Sequence, residues 1–130
     1  MKTLRLKGTV SSGKNEGAEF TKLPWVKKQI AKKIGFNPYP GTLNLELTEE
    51  EAVRKTLLDE AEAIEISPAP GFSPGRCFKA DLRNSLRCAV VIPGIQNYPR
   101  DIVEVIAPAN VREKLKLKDG DCVEVKILLE

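Results

Sequence analysis

Short segments of apolar residues, in alternating or unbroken runs, recur along this chain and constrain its fold more than any other feature. Segments of this length, bounded by glycine, proline and asparagine, are typical of half-buried or fully buried strands. They lie at residues 3–10, 41–47, 62–68, 77–84, 87–93, 101–108 and 122–129. Because helical patterns do not alternate with them, we predict a compact and mostly antiparallel barrel rather than a doubly wound parallel sheet.

Two or three short helices are expected between these strands. Residues 23–36 form an amphipathic pattern with Pro24 in the first turn and lysines in the last turn, as helices prefer. Its apolar side chains, which share one face, are Trp25, Val26, Ile30 and Ile34. The preceding stretch at residues 11–20 contains two glycines and is predicted to be a loop.

Capping patterns predict the other helices. Thr48 followed by Glu51 has the spacing of a capping box and predicts a helix over residues 48–61. Asn110 followed by Glu113 has the same spacing and predicts a short helix at the stretch "ANVREKLKL".

The composition limits the function classes that this chain can belong to. Its 130 residues, 42% of them apolar, fit one folded domain, and we expect residues 1–130 to form it. The sequence has no histidine, which excludes histidine acid–base relays, Ser-His-Asp triads and histidine metal ligands. The net charge of +3 permits an anionic ligand without requiring nucleic acid.

The cysteines and the N-terminus indicate a cytoplasmic protein. Cys77, Cys88 and Cys122 are odd in number and lack C-x-x-C spacing, so we expect small buried side chains rather than disulfides or a zinc site. A reducing compartment fits this pattern best. The N-terminal stretch lacks the apolar run of a signal peptide, and no segment approaches the roughly 18 apolar residues of a membrane helix.

A glycine-containing loop and a helix N-terminus are candidate anion sites. In "SSGKNEGAE", Gly13 and Gly17 would let backbone N–H groups approach an anion, and Lys14 adds positive charge. The spacing is not that of a P-loop, and an ordinary surface loop is the alternative. In "PANVR" a helix start carries Arg112 in its first turn; the alternatives are a phosphate site and an ordinary capped helix.

Thr42 and Asn44 are candidate metal ligands. Alternation along "GTLNLEL" places them, with Glu46, on one face of a strand whose other face carries leucines. A hydroxyl and a carboxamide oxygen suit Mg²⁺, which keeps waters and takes further oxygens from a phosphate. The alternative is a set of polar residues on the solvent-facing side of the strand.

Glu104 is the candidate acceptor for a polar ligand. It lies between Ile102 and Ile106 on one face of the strand "DIVEVIAP", while the other face is also apolar, so the strand is expected to be covered on both sides. A half-buried acceptor for a ligand and a rim residue paired with a lysine or arginine are both consistent with this position.

Taken together, "GTVSSGKNEGAEF", "GFNPYPGTLNLEL" and "EVIAPANVREKLKLKDGD" resemble the three signature blocks of the archaeal CTP-dependent riboflavin kinases. The blocks occur in the same order and at similar distances, and the resemblance covers nearly the whole chain. It implies a six-stranded cradle-loop barrel of Greek-key-like form. It also implies transfer of a phosphoryl group from CTP to the 5′-hydroxyl of riboflavin, which gives FMN and CDP.

The resemblance assigns roles to the polar residues. In that family the Thr and Asn of the "GTLNL" motif hold Mg²⁺, which implies Thr42 and Asn44 here. The flavin-binding Glu of the family falls on Glu104, which is also the catalytic candidate because it could orient or deprotonate the ribityl hydroxyl; a reaction without a base is the other choice. The flavin-binding Thr of the family falls on Gln96, so this chain departs from the pattern there.

The nucleotide contacts of the family fall on two segments of this chain. They are Lys14, Asn15, Glu16, Gly17, Ala18 and Glu19 in the loop, and Ala109, Asn110, Val111 and Arg112 at the helix start. Asn15 stands where the family usually has Gly, and asparagine is among the residues that best tolerate a positive φ.

A small basic β-barrel that binds nucleic acid as a regulator is the alternative function. An aromatic content of 5% leaves few platforms on which bases could stack. The resemblance implies riboflavin or FMN and CTP or CDP as ligands, with Mg²⁺ as cofactor, and we expect a monomer. We expect it to bind neither nucleic acid nor a membrane.

Overall fold

The computed structural model describes residues 2–12, 16–67, 70–71, 74–95 and 97–129, with the backbone alone at 16–18. Within these residues the chain forms seven strands and five short helices. In chain order they are β1 (Thr3–Ser11), α1 (Glu16–Thr21), α2 (Pro24–Lys33), β2 (Leu43–Glu46), α3 (Glu49–Lys55), α4 (Leu57–Glu60), β3 (Ile64–Ile66), β4 (Gly75–Leu82), β5 (Leu86–Ile92), β6 (Ile102–Ile106), α5 (Val111–Lys114) and β7 (Cys122–Leu128).

Six of the strands close into an antiparallel barrel. The hydrogen-bonded order is β4-β5-β6-β2-β1-β7, and β7 pairs back onto β4 through Ala80↔Ile127, Asp81↔Lys126 and Leu82↔Val125. Strand β3 pairs with the other end of β4 and lies outside the ring. Closure leaves the six strands without a free edge. The predicted six-stranded barrel is confirmed.

The barrel interior is filled by every second residue of its strands. Leu4, Leu6 and Val10 of β1 are 4%, 0% and 1% exposed, as their alternation predicts. They belong to one cluster with inward-facing residues of β2, β4, β5, β6 and β7. Gly8 shares their face by the same alternation. A Cβ at this position would lie 2.7 Å from Cβ of Leu45, which is closer than two carbons can approach. A glycine in the middle of β1 therefore lets β2 pack against it.

A second apolar cluster covers the outside of β4, β5 and β6. Helix α2 contributes Val26, Ile30 and Ile34, and its face packs against Cys77, Ala89, Val91 and Ile106 of the strands, with Ile66 of β3. These strands are consequently buried on both sides, which explains their unbroken apolar runs. The prediction that the strand containing Glu104 is covered on both faces is confirmed.

Helix α1 differs from the predicted loop. Residues 16–21 are helical, and Phe20, which is 9% exposed, lies over Gly75 so closely that a Cβ there would meet Phe20 Cζ at 2.4 Å. Its ring also makes an edge contact with Trp25, with centroids 6.1 Å apart. This packing comes from distant parts of the chain, and it stabilises a helical turn that local sequence alone does not favour.

The predicted helix over residues 48–61 is two helices. Thr48 caps α3 as expected, with its hydroxyl accepting a hydrogen bond from the Glu51 N–H at 3.3 Å. The Glu51 carboxylate, however, accepts from the Lys7 backbone N–H of β1 at 2.6 Å. At Thr56 the helix breaks, and its hydroxyl donates to the Val53 carbonyl at 2.6 Å. The helix count therefore exceeds the two or three that were expected.

Two of the three cysteines are buried as predicted. Burial raises the pKa of Cys77 and of Cys88 to about 12, so both thiols are protonated and unreactive near neutral pH. Cys122 is exposed, so the prediction of a buried side chain is wrong for that residue. No helix among the described residues is long and apolar enough to span a membrane.

Candidate functional site

The register of three neighbouring strands places three polar residues in one row. Ser11, the last residue of β1, pairs with Asn44 of β2, and Asn44 pairs with Glu104 of β6. Residues paired across antiparallel strands point to the same side of the sheet. The glycine-containing loop therefore begins directly beside Asn44, and sequence segments more than 30 residues apart meet at one place on the barrel wall.

Two side chains of this row, those of Asn44 and Glu104, form a hydrogen-bonded cluster with Thr42. The Thr42 hydroxyl donates to Glu104 Oε1 at 2.9 Å and lies 3.3 Å from Asn44 Oδ1. Asn44 is 2% exposed and Glu104 is 1% exposed, whereas Thr42 is half-buried. We call Thr42, Asn44 and Glu104 the oxygen cluster. Buried polar groups of this kind are costly unless they are hydrogen-bonded.

This burial corrects two expectations. Asn44 does not lie on a solvent-facing side of its strand, although Glu46 on the same strand is exposed. Alternation assigned the two residues correctly to one face, but that face is buried at Asn44 and exposed at Glu46. Glu104 is likewise not a rim residue, because it is among the most deeply buried side chains of the described structure.

Tyr98 and Lys55 belong to the surroundings of the cluster and were not found from sequence. The Tyr98 hydroxyl donates to Glu104 Oε2 at 2.5 Å. The ammonium group of Lys55, from α3, lies 5.3 Å from the centre of the Tyr98 ring. The stretch "NYPRD" has the composition of a loop, and no periodicity or spacing signals that one of its side chains turns inward.

The oxygen cluster fits the donor set of a hard cation. Neighbouring ligands of an octahedral Mg²⁺ are roughly 3 Å apart, as expected for metal–oxygen distances of about 2.1 Å, and the Thr42 oxygen lies 2.9 Å and 3.3 Å from its two neighbours. A hydroxyl, a carboxamide and a carboxylate are all oxygen donors of the kind that Mg²⁺ prefers. Among the described residues, no group of three or more Asp, Glu, Cys or His residues that could hold a metal ion is present.

Arg112 joins the two segments that were predicted to contact the nucleotide. Its guanidinium donates to Asp119 Oδ1 at 2.7 Å, and to the Ser11 carbonyl and the Ser12 hydroxyl, both at 3.3 Å. Arg112 and Ser12 together hold the pKa of the exposed Asp119 carboxyl below its ordinary value. The arginine therefore ties the start of α5 to the start of the glycine-containing loop.

A cavity of about 170 Å³ lies between the oxygen cluster and α5. Thr42 lines it on one side, and Ala109, Asn110, Val111 and Arg112 line it on another. Tyr39 also lines the cavity, and its hydroxyl accepts a hydrogen bond from Asn110 Nδ2 at 3.4 Å. The side chain of Asn110 also caps α5 by accepting from the Glu113 N–H at 3.2 Å, as predicted.

The remaining predicted residues are only partly covered by the structure. Lys14, Asn15 and Gln96 lie outside the described residues. The backbone of Glu16, Gly17 and Ala18 is in α1, and Glu19 is exposed and forms a surface ion pair with Lys22 at 3.3 Å. The structure thus brings Thr42, Asn44, Glu104 and residues 109–112 together around one part of the barrel.

The fold and the oxygen cluster define the chain as a small closed barrel with one buried, oxygen-rich site next to a loop and a helix start. Comparison with known families then identifies it further. The model of the family CTP-dep_RFKase, described as "Domain of unknown function DUF120", matches residues 10–127. The chain belongs to this archaeal family, and the resemblance found in its sequence blocks is confirmed.

Curated archaeal relatives carry the name riboflavin kinase. The chain is 43% identical over 134 residues to the riboflavin kinase of Archaeoglobus fulgidus and 44% identical over 135 residues to that of Pyrobaculum islandicum. In both cases 98% of this chain is covered, with 56% and 62% of the relatives. The relative from Methanosarcina barkeri is 39% identical over 128 residues, which cover 95% of this chain and 56% of that protein. The chain thus spans somewhat more than half the length of these relatives.

Proposed function

We propose that this chain is a CTP-dependent riboflavin kinase, which transfers the terminal phosphoryl group of CTP to the 5′-hydroxyl of riboflavin. Membership of the family and the names of the relatives support this assignment. The structural observation that carries it is the convergence of the oxygen cluster with the start of the glycine-containing loop and the start of α5. Phosphoryl transfer needs such a place, where the phosphates, a cation and the acceptor hydroxyl can be held together.

Thr42 and Asn44 are proposed to hold Mg²⁺ through their side-chain oxygens. When bound, the ion would neutralise charge on the terminal phosphates, which is the main chemical demand of this reaction. The neighbouring carboxylate of Glu104 contributes negative charge that favours a cation at this position. It also keeps the Thr42 hydroxyl oriented, because that hydroxyl donates to Glu104 and thereby leaves its lone pairs available.

The nucleotide is proposed to lie along the loop and α5. Backbone N–H groups at residues 14–19 and 109–112 would donate hydrogen bonds to the phosphates and the base, and Lys14 would add positive charge. Arg112 has a structural part in this arrangement, since its contacts with Ser11, Ser12 and Asp119 hold the two segments together. Base recognition by backbone groups would explain why side-chain identity does not reveal a preference for cytosine.

Glu104 is proposed to bind the flavin, with Gln96 as a second contact. In the transfer, the riboflavin 5′-oxygen forms a bond to the terminal phosphorus while the bond from that phosphorus to the bridging oxygen breaks. CDP leaves, and the hydroxyl proton passes either to the Glu104 carboxylate or to solvent. No histidine is present in the sequence to take this proton.

An assay of product formation tests this function directly. The protein is incubated with riboflavin, Mg²⁺ and either CTP or ATP, and FMN is separated by chromatography. We expect FMN with CTP, much less with ATP, and none when the divalent cation is removed by a chelator. Equal product with both nucleotides, or none with any nucleotide, would refute the proposal.

Ligand binding separates this function from the nucleic-acid alternative, which the comparisons do not favour. A kinase binds free riboflavin and quenches its fluorescence, whereas a nucleic-acid-binding barrel would bind a labelled duplex and leave riboflavin fluorescence unchanged. We expect riboflavin fluorescence to be quenched when the protein is added, and we expect the labelled duplex to show no retardation in a gel.

A further inference from the structure

The Glu104 carboxylate is held by hydroxyl groups from two different parts of the chain. Its Oε1 accepts from Thr42, which precedes β2, at 2.9 Å, and its Oε2 accepts from Tyr98, which precedes β6, at 2.5 Å. Since both carboxylate oxygens are engaged, rotation of the carboxylate about its last bond is opposed from both ends. Charged hydrogen bonds of this kind are about twice as strong as neutral ones.

Tyr98 lies on an irregular segment that needs an anchor. Residues 93–101 connect β5 to β6 without regular structure in their described part, and such segments are held only by their specific contacts. Lys55 supplies an anchor, because its ammonium group donates to the Ile102 carbonyl at 2.8 Å and to the Pro99 carbonyl at 3.2 Å. The Arg100 carbonyl is 3.5 Å away, and the ammonium lies near the Tyr98 ring.

The environment of Lys55 is unusual for a lysine on a short surface helix. The side chain is partly buried, and this desolvation lowers its pKa, while the carboxylates of Asp59, Asp101 and Glu104 oppose the shift. A lysine is strongly hydrated in water, so replacing that water with backbone carbonyls is favourable only where several of them converge. The contacts of Lys55 are therefore directed at the segment that carries Tyr98.

We propose that Tyr98 is a positioning residue for the Glu104 carboxylate and that Lys55 in turn fixes Tyr98. The inference rests on the proposed function, because its consequence is that the Glu104 carboxylate is correctly oriented towards the acceptor substrate. Tyr98 does not itself touch the reacting atoms. Its loss would remove one of the two hydroxyl contacts that oppose rotation of the Glu104 carboxylate, and a misplacement of about 1 Å can reduce a rate as much as a hundredfold.

Single substitutions give the first test. Tyr98→Phe removes one hydroxyl and keeps the ring, and we expect it to weaken riboflavin binding by about tenfold, the loss of one charged hydrogen bond. Glu104→Gln should weaken it by about tenfold to a hundredfold. Tyr98→Phe should leave the KM for CTP within about twofold, and Glu104→Gln should raise that KM less than it weakens riboflavin binding, since this selectivity separates positioning from general destabilisation. A parallel loss of affinity for both substrates would overturn the proposal.

Combined substitutions test the order of action. In the Glu104→Gln background, Tyr98→Phe should have no more than about a twofold further effect, because residues that act through one group are not additive. Lys55→Met keeps the apolar stem of the side chain, should weaken riboflavin binding selectively, and should add little to Tyr98→Phe. Lys28→Met, at an exposed position of α2, is the matched control and should leave riboflavin affinity unchanged. Full additivity of these changes would overturn the proposal.

A ligand-free measurement separates failure of this inference from failure of the proposed function. Thermal unfolding is compared for the wild type, Tyr98→Phe, Glu104→Gln and the double variant without any substrate. A loss in the double variant that is smaller than the sum of the single losses supports the coupling, whether or not the protein phosphorylates riboflavin. Additive losses overturn the coupling even in an active kinase. A wild type that binds no riboflavin refutes the proposed function and, with it, the consequence assigned to Tyr98.

Discussion

At residues 43–45 and 103–105, strands β2 and β6 present two faces that are equally buried and opposite in chemistry. Towards the barrel interior they carry Leu43, Leu45, Val103 and Val105, which are 4%, 0%, 1% and 1% exposed. On the other face they carry Asn44 and Glu104, which are 2% and 1% exposed. Adjacent residues of the same strands therefore occupy environments that differ in chemistry and not in access to solvent.

The comparison separates what stabilises this barrel from what its site requires. Burying an aliphatic side chain contributes roughly 1.5–3 kcal/mol, whereas a buried carboxylate loses its hydration and is tolerated only with suitable partners. The hydrogen bonds of the polar face thus add little net stability, because they mainly offset the cost of burying these polar groups. We infer that the interior face supports the fold and that the polar face is retained for binding. The predictions below test this division.

The largest expected effect is on the interior face. Leu45→Ala should lower the free energy of unfolding by about 2–5 kcal/mol, because it removes buried methyl groups and leaves a cavity in the barrel. Riboflavin affinity of the protein that remains folded should be nearly unchanged. Urea unfolding and riboflavin titration measure the two quantities. Val53→Ala is the control, since Val53 is 56% exposed and its truncation should change stability by less than about 0.5 kcal/mol.

If Leu45→Ala reduced affinity as much as stability, the two faces would not be independent and the division would fail. The same conclusion would follow if Leu45→Ala lowered the free energy of unfolding by less than the exposed control Val53→Ala. Either result would mean that the site depends on the shape of the interior as well as on its own contacts.

The polar face should give the opposite pattern. Thr42→Val keeps the shape and β-branching of the side chain while removing its oxygen, and the rate should fall by about a hundredfold or more because charge stabilisation by the ion is impaired. The loss of stability should be smaller, about 1.5–3 kcal/mol for the hydrogen bond to Glu104. Raising the Mg²⁺ concentration should partly restore the rate. The measurements are rate against Mg²⁺ concentration and unfolding without ligand.

Two further variants sharpen this result. Thr42→Ser keeps the oxygen and should lose less than about tenfold in rate. Asn44→Leu should combine with Thr42→Val in a non-additive way, because both residues are proposed to hold the same ion. Since Asn44 is buried, its substitution should also destabilise the fold. The same substitution at a solvent-facing position of a strand would have little effect on stability. Normal rates at low Mg²⁺ in both single variants would contradict the metal assignment.

Much of the barrel could be predicted because its strands follow simple periodicity. The alternation of Leu4, Leu6 and Val10, the cap at Thr48 and the cap at Asn110 are all local signals, and the structure confirms each of them. The resemblance of the three blocks predicted the family, which the comparisons confirm.

The features that could not be predicted depend on contacts between distant residues. Alternation showed that Asn44 and Glu46 share a face, but only the folded structure shows that Asn44 is buried beside Ser11 and Glu104 while Glu46 is exposed. The helical turn at α1 depends on Phe20 packing over Gly75. The inward turn of Tyr98 brings its ring next to Lys55, which lies 43 residues earlier in the sequence.

The smallest expected effect concerns a carboxylate outside both faces. Glu51 of α3 accepts a hydrogen bond from the Lys7 backbone N–H at 2.6 Å, and this bond, opposed by desolvation and aided by Arg54, holds its pKa below the ordinary value of 4.5. A lowered pKa means that the charged form stabilises the fold above that value, and that this stability is lost as the pH falls through the folded-state pKa. Because the contact lies near the surface, Glu51→Gln should cost no more than about 1 kcal/mol at pH 7, and the difference from wild type should disappear in acid. Urea midpoints at neutral and acidic pH measure this, with Glu50→Gln at an exposed neighbouring position as the control. Riboflavin affinity should not change in either variant. That result would show that the Glu51 carboxylate contributes to stability and not to riboflavin binding, in contrast to Glu104. A difference that persists unchanged in acid would show that the charge of Glu51 is not what stabilises the contact between α3 and β1.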